Sequence, residues 1–196
     1  MLQVVITPND NYSLAEMAQM AVEGGAQWLQ LRVPGLPDDE VREAAPDVVA
    51  LCREAGIMLT IENDVALARE LELHGVFVHR GAEDPVKLRE TLGAEAVIGA
   101  EVTDAGRACA LADADIDYVA LGDSVKDAKS VIDAIRAAGC HIPVVAYRPL
   151  SAFSDEEIAL LSADGFSGLC GGAGIFSEAD PTGRIRAIIA ELKPNL

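Results

Sequence analysis

The 196-residue sequence has few aromatic side chains and few positive charges. Phe, Trp and Tyr make up 4% of a chain that is 51% hydrophobic, so we expect a core built mainly from Ala, Val, Leu and Ile, which fill barrel interiors and helix–sheet layers. The formal net charge is −17. Nucleic acid and anionic membranes are therefore unfavourable partners, because carboxylates repel phosphate groups.

Long apolar runs, sorting signals and paired cysteines are also missing. No run reaches the roughly 18 residues of a membrane-spanning helix, and the start MLQVVITPND has neither a basic segment nor a small-residue cleavage site. We therefore expect a cytoplasmic protein. Cys52, Cys109, Cys140 and Cys170 form no C-x-x-C pair, which favours free thiols over a zinc or redox site.

A short apolar run followed by an amphipathic stretch recurs along the chain, as is typical of βα units. Eight such runs predict strands at Gln3–Thr7, Trp28–Arg32, Met58–Glu62, Gly75–His79, Ala96–Glu101, Tyr118–Gly122, Pro143–Tyr147 and Gly165–Cys170. The helical patterns begin near Ser13, Asp38, Asp64, Pro85, Asp104, Lys126, Ser154 and Asp180. Eight units without a long linker favour one (β/α)8 barrel domain, an α/β TIM barrel, over residues 1–196. An open doubly wound sheet is the alternative, although no G-x-G-x-x-G follows the first strand.

Carboxylates crowd the ends of the predicted strands, where such a barrel carries its functional site. They are Glu62, Asp64, Asp84, Glu101 and Asp123. We expect them to repel one another unless a metal or a cationic ligand neutralises them, and a hard ion such as Mg2+ suits oxygen ligands. Asp64 and Asp84 also stand directly ahead of helices, where they would act as N-caps, and the two roles are compatible.

Two further groups at the strand ends have a functional and a structural interpretation. Gly171, Gly172 and Gly174 follow the eighth strand, where barrels often bind phosphate, and Arg148 directly follows the run predicted as the neighbouring strand. The alternative is a tight turn, with Arg148 paired to a carboxylate. His79 is a candidate for proton transfer or an ordinary hydrogen-bonded residue.

Several motifs stand in a fixed order along the βα units. They are Gly24-Gly25-Ala26, Gln30-Leu31-Arg32, Asn63-Asp64, His79-Arg80-Gly81-Ala82-Glu83-Asp84, Ile98-Gly99, Asp117 to Gly122, Ile142 to Ala146 and Ala163 to Gly168. This order resembles the thiamine-phosphate synthase and thiazole tautomerase (TenI-like) family over almost the whole chain. The resemblance implies a transferase of thiamine biosynthesis that couples a pyrimidine diphosphate to a thiazole phosphate and releases pyrophosphate. It also implies that Gln30, Arg32 and Asn63 contact substrate or pyrophosphate, while Asp64 and Asp84 hold Mg2+.

The sequence departs from the family pattern at cationic positions. The Lys expected two residues after Gln-Leu-Arg is Pro34, and the Arg expected after Asn-Asp is Val65. The Ser expected after Ile98-Gly99 is Glu101. We expect Glu101 to line the ligand site and to weaken diphosphate binding, because each change makes the local potential more negative. Lys126 or Arg148 would compensate in part.

Two other functions fit the same fold. One is a non-catalytic or regulatory protein whose acidic mouth binds a cationic thiazole or thiamine-like ligand. The other is a thiazole tautomerase, although its expected His would lie in a loop that is shortened here to Asp123–Lys126. The sequence leaves the oligomeric state open, including a homo-oligomer.

Overall fold

Eight parallel strands pair in chain order, and the first also pairs with the last, so the sheet closes into a barrel. The computed structural model describes residues 1–192, with only the backbone at Asp38. The strands are β1 Leu2–Ile6, β2 Trp28–Leu31, β3 Met58–Glu62, β4 Gly75–Val78, β5 Val97–Val102, β6 Tyr118–Leu121, β7 Val144–Arg148 and β8 Gly168–Gly171. The predicted (β/α)8 barrel is confirmed, and the open sheet is excluded.

A helix follows every strand. The helices are α1 Leu14–Glu23, α2 Asp38–Ala55, α3 Val65–Glu70, α4 Pro85–Leu92, α5 Ala105–Ala112, α6 Ala128–Ala137, α7 Asp155–Ala163 and α8 Pro181–Leu192, with a short 3-10 helix at Ala173–Ser177. Each of these α-helices begins within two residues of its predicted start. The predicted domain continues to residue 196, and positions 193–196 lie outside the described residues.

Alternate residues of each strand face opposite sides of the barrel wall, because successive side chains of a strand point to opposite faces. In β3, Leu59 and Ile61 belong to the core between sheet and helices. Thr60, between them, points into the barrel, where its Oγ1 accepts a hydrogen bond from Trp28 Nε1 at 3.0 Å. Met58 and Glu62 share its orientation, which carries Glu62 to the upper, C-terminal end of the interior.

The aromatic residues are few, but several are concentrated inside the barrel. Trp28, Phe77, Tyr118 and Tyr147 form an interior cluster, completed by Val5, Ala120, Val145 and Cys170. The expected aliphatic core forms the layer between strands and helices. Large rings fit the interior because glycines on neighbouring strands leave room, as Gly99 does beneath the ring of Tyr118.

Carboxylate caps begin several helices at the upper end of the barrel. Asp64 accepts from Leu67 N at 2.8 Å, and Asp84 accepts from Val86 N at 3.2 Å. Asp104 caps α5 in the same way, through Arg107 N. Such caps contribute about 1 kcal/mol each. Since a helix that follows a strand starts where the strand ends, capping itself brings acidic residues to the mouth.

We expect Gly75→Ala to destabilise the protein by about 1–3 kcal/mol, because the added methyl group would overlap the backbone carbonyl of Val97 on the adjacent strand. Gly106→Ala is the matched control. Gly106 lies in α5, and a methyl group there would make only an ordinary contact with the Asp104 carboxylate, so a neutral or slightly stabilising effect is expected. Urea unfolding of the three proteins measures both effects. Equal stability of the native protein and Gly75→Ala would contradict the described pairing of β4 with β5.

Candidate active site

Four neighbouring strands direct charged side chains into the mouth of the barrel. Arg32 directly follows β2, Glu62 ends β3, His79 directly follows β4 and Glu101 lies near the end of β5. Each is two residues beyond a strand position that faces the barrel interior, so strand alternation points all four inward. Arg32, Glu62, His79 and Glu101 together form the mouth cluster.

His79 lies between two carboxylates. Its Nδ1 is 3.1 Å from Glu101 Oε2, and its Nε2 is 3.1 Å from Glu62 Oε2. A carboxylate oxygen only accepts hydrogen bonds, so the doubly protonated imidazolium is the form that satisfies both contacts. The hydrogen bond to Glu62 is the main reason that the pKa of His79 is raised above its ordinary value, and Glu101 adds to the effect.

Glu62 has the most partners in the cluster. Its Oε1 accepts from Gln30 Nε2 at 2.9 Å and from the Tyr147 hydroxyl at 2.8 Å. Its Oε2 faces His79 and lies 3.5 Å from Arg32 Nε. The side chain is only 7% exposed, and a buried charge requires this density of donors. The fully buried Gln30 thus donates its hydrogen bond to Glu62 from below.

Aromatic rings form the floor beneath His79. The ring of Phe77 stacks against that of Tyr147 with centroids 5.0 Å apart, and both rings meet His79 edge-on at 5.1 Å. Burial raises the pKa of the Tyr147 hydroxyl, and the neighbouring charge of Glu62 raises it further. Tyr147 is therefore a protonated hydrogen-bond donor at neutral pH.

Glu101 is not the isolated negative charge that its substitution for Ser suggests. Besides His79, it accepts from the backbone N–H of Arg80 at 3.4 Å, and the Arg80 side chain lies 4.0 Å away. The mouth carboxylates are likewise paired within the protein. Asp84 lies 3.6 Å from Arg107, and Asp123 lies 2.6 Å from Arg148. Protein cations thus relieve the expected repulsion at Glu101, Asp84 and Asp123.

Arg148 points away from the barrel interior, because it follows the inward-facing Tyr147. Its Nη1 donates to the carbonyls of Leu121 at 3.2 Å and Tyr147 at 2.9 Å, while Nε pairs with Asp123. These contacts match the structural alternative for Arg148. A role of this side chain in phosphate binding stays a prediction and would require some of them to break.

The glycines after β8 allow close backbone packing. A methyl group on Gly171 would overlap the carbonyl of Arg148, and one on Gly174 would lie 2.5 Å from the carbonyl of Leu150. Gly172 has φ +95°, which favours glycine. The turn therefore has a structural reason for its composition, and phosphate binding by Gly171, Gly172 and Gly174 stays a prediction.

Asn63 connects two loops at the mouth. Its backbone is left-handed, with φ 57°, a conformation that Asn tolerates better than most residues. Its side-chain oxygen accepts from His79 N at 2.9 Å. Asn63 thereby fixes the first residue after β4 and, with it, the imidazole between its carboxylates.

A cavity of about 410 Å3 opens beside the mouth cluster, between the segments that follow β4 and β5. Arg80, Asp84, Glu101 and Arg107 contribute to its lining. Sequence reasoning counted Glu62 among the mouth carboxylates, assigned no role to Arg80 or Tyr147, and missed Arg107. The signal that could have identified Arg107 is a cationic residue in the first turn of α5, close to the Asp104 cap.

The fold and the mouth define a (β/α)8 barrel that gathers ionic side chains at the carboxyl ends of its strands. Residues 2–146 match the thiamine monophosphate synthase family. The chain is 30% identical to a thiamine-phosphate synthase of Chlorobium phaeobacteroides, over 96% of this chain and 95% of that one. It is 29% identical to one of Bacteroides fragilis, over 96% and 98%. The solved thiamine phosphate pyrophosphorylase of Pyrococcus furiosus superposes with TM-score 0.85 at 20% identity, covering all of this chain and 96% of that one. The chain belongs to the thiamine monophosphate synthase family.

The contribution of His79 to stability should decrease with rising pH. Its pKa is raised above 6.5 in the folded protein, so the contribution is complete below the unfolded pKa and is lost as pH rises through the folded one. We expect the difference in unfolding free energy between native protein and His79→Gln to be larger at about pH 6 than at about pH 9. Urea unfolding at both pH values tests this, with the exposed His141→Gln as control. A difference that grows with pH would contradict the imidazolium assignment.

Proposed function

We propose that the protein is a thiamine-phosphate synthase, a transferase of thiamine biosynthesis that couples a pyrimidine diphosphate to a thiazole phosphate and releases pyrophosphate. The observation that supports this most strongly is the nearly full-length similarity to synthases, on a barrel that brings Asn63, Asp64, Asp84 and the mouth cluster to one end. In the reaction a bond forms between the two heterocyclic substrates as the bond to the diphosphate oxygen breaks.

The residues of the mouth would orient the substrates and stabilise charge. Glu62, held by Gln30 and Tyr147, is a fixed acceptor below the opening, suited to a donor group of a heterocycle. Arg32, with its side chain 27% exposed, would face the phosphorylated substrate. The imidazolium of His79 sits between its two carboxylates and provides a positive charge next to the site of the leaving group.

Asp64 and Asp84 would hold Mg2+, which neutralises diphosphate charge when bound. Each carboxylate caps its helix through Oδ1, so Oδ2 remains for a cation. Residues 1–192 contain no cluster of three or more His, Cys, Asp or Glu arranged to bind a metal ion. This donor set fits Mg2+, an ion usually held by one or two carboxylates together with substrate phosphates rather than by a protein cage.

Ligand binding without turnover is the second candidate. The loop between β6 and α6 is short, covering residues 122–127, and Glu62 and Glu101 add two carboxylates to the mouth. A cationic thiazole or thiamine-like ligand would be attracted by this arrangement if His79 lost its proton. The tautomerase alternative has less support, since of the described histidines only His79 lies at the mouth and both its nitrogens are engaged.

The proposed partners are phosphorylated small molecules, and the proposed location is the cytoplasm. A net charge of −17 argues against nucleic acid. Within residues 1–192 no helix is both long and apolar enough to cross a membrane. We propose one domain over the whole chain. A measurement of molecular mass in solution would show whether the protein forms a homo-oligomer.

The proposed reaction predicts thiamine phosphate and pyrophosphate as products when the native protein is given both substrates and Mg2+. Asp64→Asn and Asp84→Asn should each lower turnover at least tenfold, since they remove a charge from the proposed Mg2+ ligands. Asn caps helices as well as Asp does, so stability should change little. The exposed Asp47→Asn, on α2, is the control. A native protein that binds thiazole phosphate without forming product would favour the second candidate.

Free Mg2+ should bind the native protein weakly. Mg2+ sheds its water reluctantly, and Asp84 is already paired with Arg107 at 3.6 Å. Calorimetric titration with Mg2+ alone should therefore show little heat, and pyrophosphate should strengthen binding at least tenfold. Tight binding of Mg2+ by the free protein would indicate a dedicated cage and would contradict this arrangement.

A further inference from the structure

The departures from the family pattern raise the question of which side chains contact a diphosphate in this protein. The family pattern expects cations at the positions of Pro34 and Val65, and neither residue carries charge. Arg148 already donates to two carbonyls and pairs with Asp123 at 2.6 Å. Arg32 pairs with Glu62, and its Nε is buried 3.5 Å from the Glu62 carboxylate.

Two other arginines line the 410 Å3 cavity beside the mouth cluster. Arg80 follows β4 with its side chain 53% exposed, and Arg107 lies in the first turn of α5 with its side chain 49% exposed. Each contacts its carboxylate only at long range, Arg80 at 4.0 Å from Glu101 and Arg107 at 3.6 Å from Asp84. Neither guanidinium donates a hydrogen bond to any described residue, so the donors of both are available to a ligand.

We infer that Arg80 and Arg107 form the diphosphate-binding pair of this protein and bind a magnesium-bound diphosphate in the cavity between the segments that follow β4 and β5. The inference rests on the proposed function and assigns the substrate's diphosphate to residues outside the family's cationic positions. The cavity volume lies within the roughly 300–1,000 Å3 of small-molecule sites. A guanidinium is suited to the task because its planar fork matches two phosphate oxygens at once.

The carboxylates of the lining explain why the ligand would be the magnesium complex and not the bare anion. Glu101 and Asp84 are each partly neutralised by these arginines, and Asp104 accepts from the backbone N–H of Arg107. A bare diphosphate would meet net negative charge here. Conversely, Mg2+ on Asp84 would repel the nearby Arg107 unless an anion lay between them, and a diphosphate supplies that anion.

The probe is inorganic pyrophosphate with Mg2+, titrated calorimetrically into the native protein, Arg80→Gln, Arg107→Gln and the double variant. Loss of a charge-assisted hydrogen-bonding partner should weaken binding about tenfold in each single variant and about a hundredfold in the double variant. Arg53→Gln is the matched control. Arg53 lies in the last turn of α2, is similarly exposed at 55%, and also pairs with one carboxylate, that of Glu72. The Arg53→Gln variant should bind pyrophosphate with the same affinity as the native protein.

Retained binding in the double variant, within twofold of the native protein, would overturn the inference. A native protein that shows no pyrophosphate binding with Mg2+ would also overturn it. Turnover is measured separately, so the two ideas can fail independently. If the native protein forms product and the double variant binds pyrophosphate as tightly as the native protein, the synthase assignment stands and the role of the arginine pair is rejected. If pyrophosphate binding depends on Arg80 and Arg107 but the native protein forms no product, the role of the arginine pair stands and the synthase assignment is rejected.

Discussion

The arrangement of the mouth depends on a carboxylate that the barrel nearly buries. Glu62 is 7% exposed and is reached by Gln30 from below, Tyr147 from across the barrel, and His79 and Arg32 from either side. Removing one partner of a buried ion pair typically costs about 3–5 kcal/mol, because the remaining charge stays desolvated. These residues are therefore coupled to one another. The contacts of Glu62 and Glu101 with the two ring nitrogens together favour the protonated form of His79.

This coupling divides the ionic groups of the mouth into two kinds. The inner groups around Glu62 are oriented by hydrogen bonds of about 3 Å, with the exception of Arg32, whose buried Nε has no hydrogen-bond partner among residues 1–192. Arg80 and Arg107 lie outside them, with long and weak ion pairs. Groups of this second kind can move to a ligand at little cost, since exposed ion pairs contribute only about 0–1 kcal/mol.

Part of this architecture could be predicted from sequence because it depends on local pattern. Eight apolar runs and eight capped amphipathic stretches predict the barrel, and strand ends indicate which side chains reach the mouth. The N-cap roles of Asp64 and Asp84 follow from their position ahead of α3 and α4. Arg148 was harder to assign. A shift of one residue along β7 decides whether Tyr147 or Arg148 faces inward, and the apolar run Pro143–Tyr147 does not by itself reveal that register.

The sequence by itself determined the order of strands and helices, the helix starts and the concentration of carboxylates at one end, because hydrophobic periodicity and capping act over a few neighbouring residues. Only the tertiary structure decided how those charges pair. The partners of Glu62 lie up to 85 positions away along the chain, and closure of the barrel brings them together. Pairing that depends on such closure has no local signature, so the imidazolium of His79 and the open guanidinium groups of Arg80 and Arg107 became visible only in three dimensions.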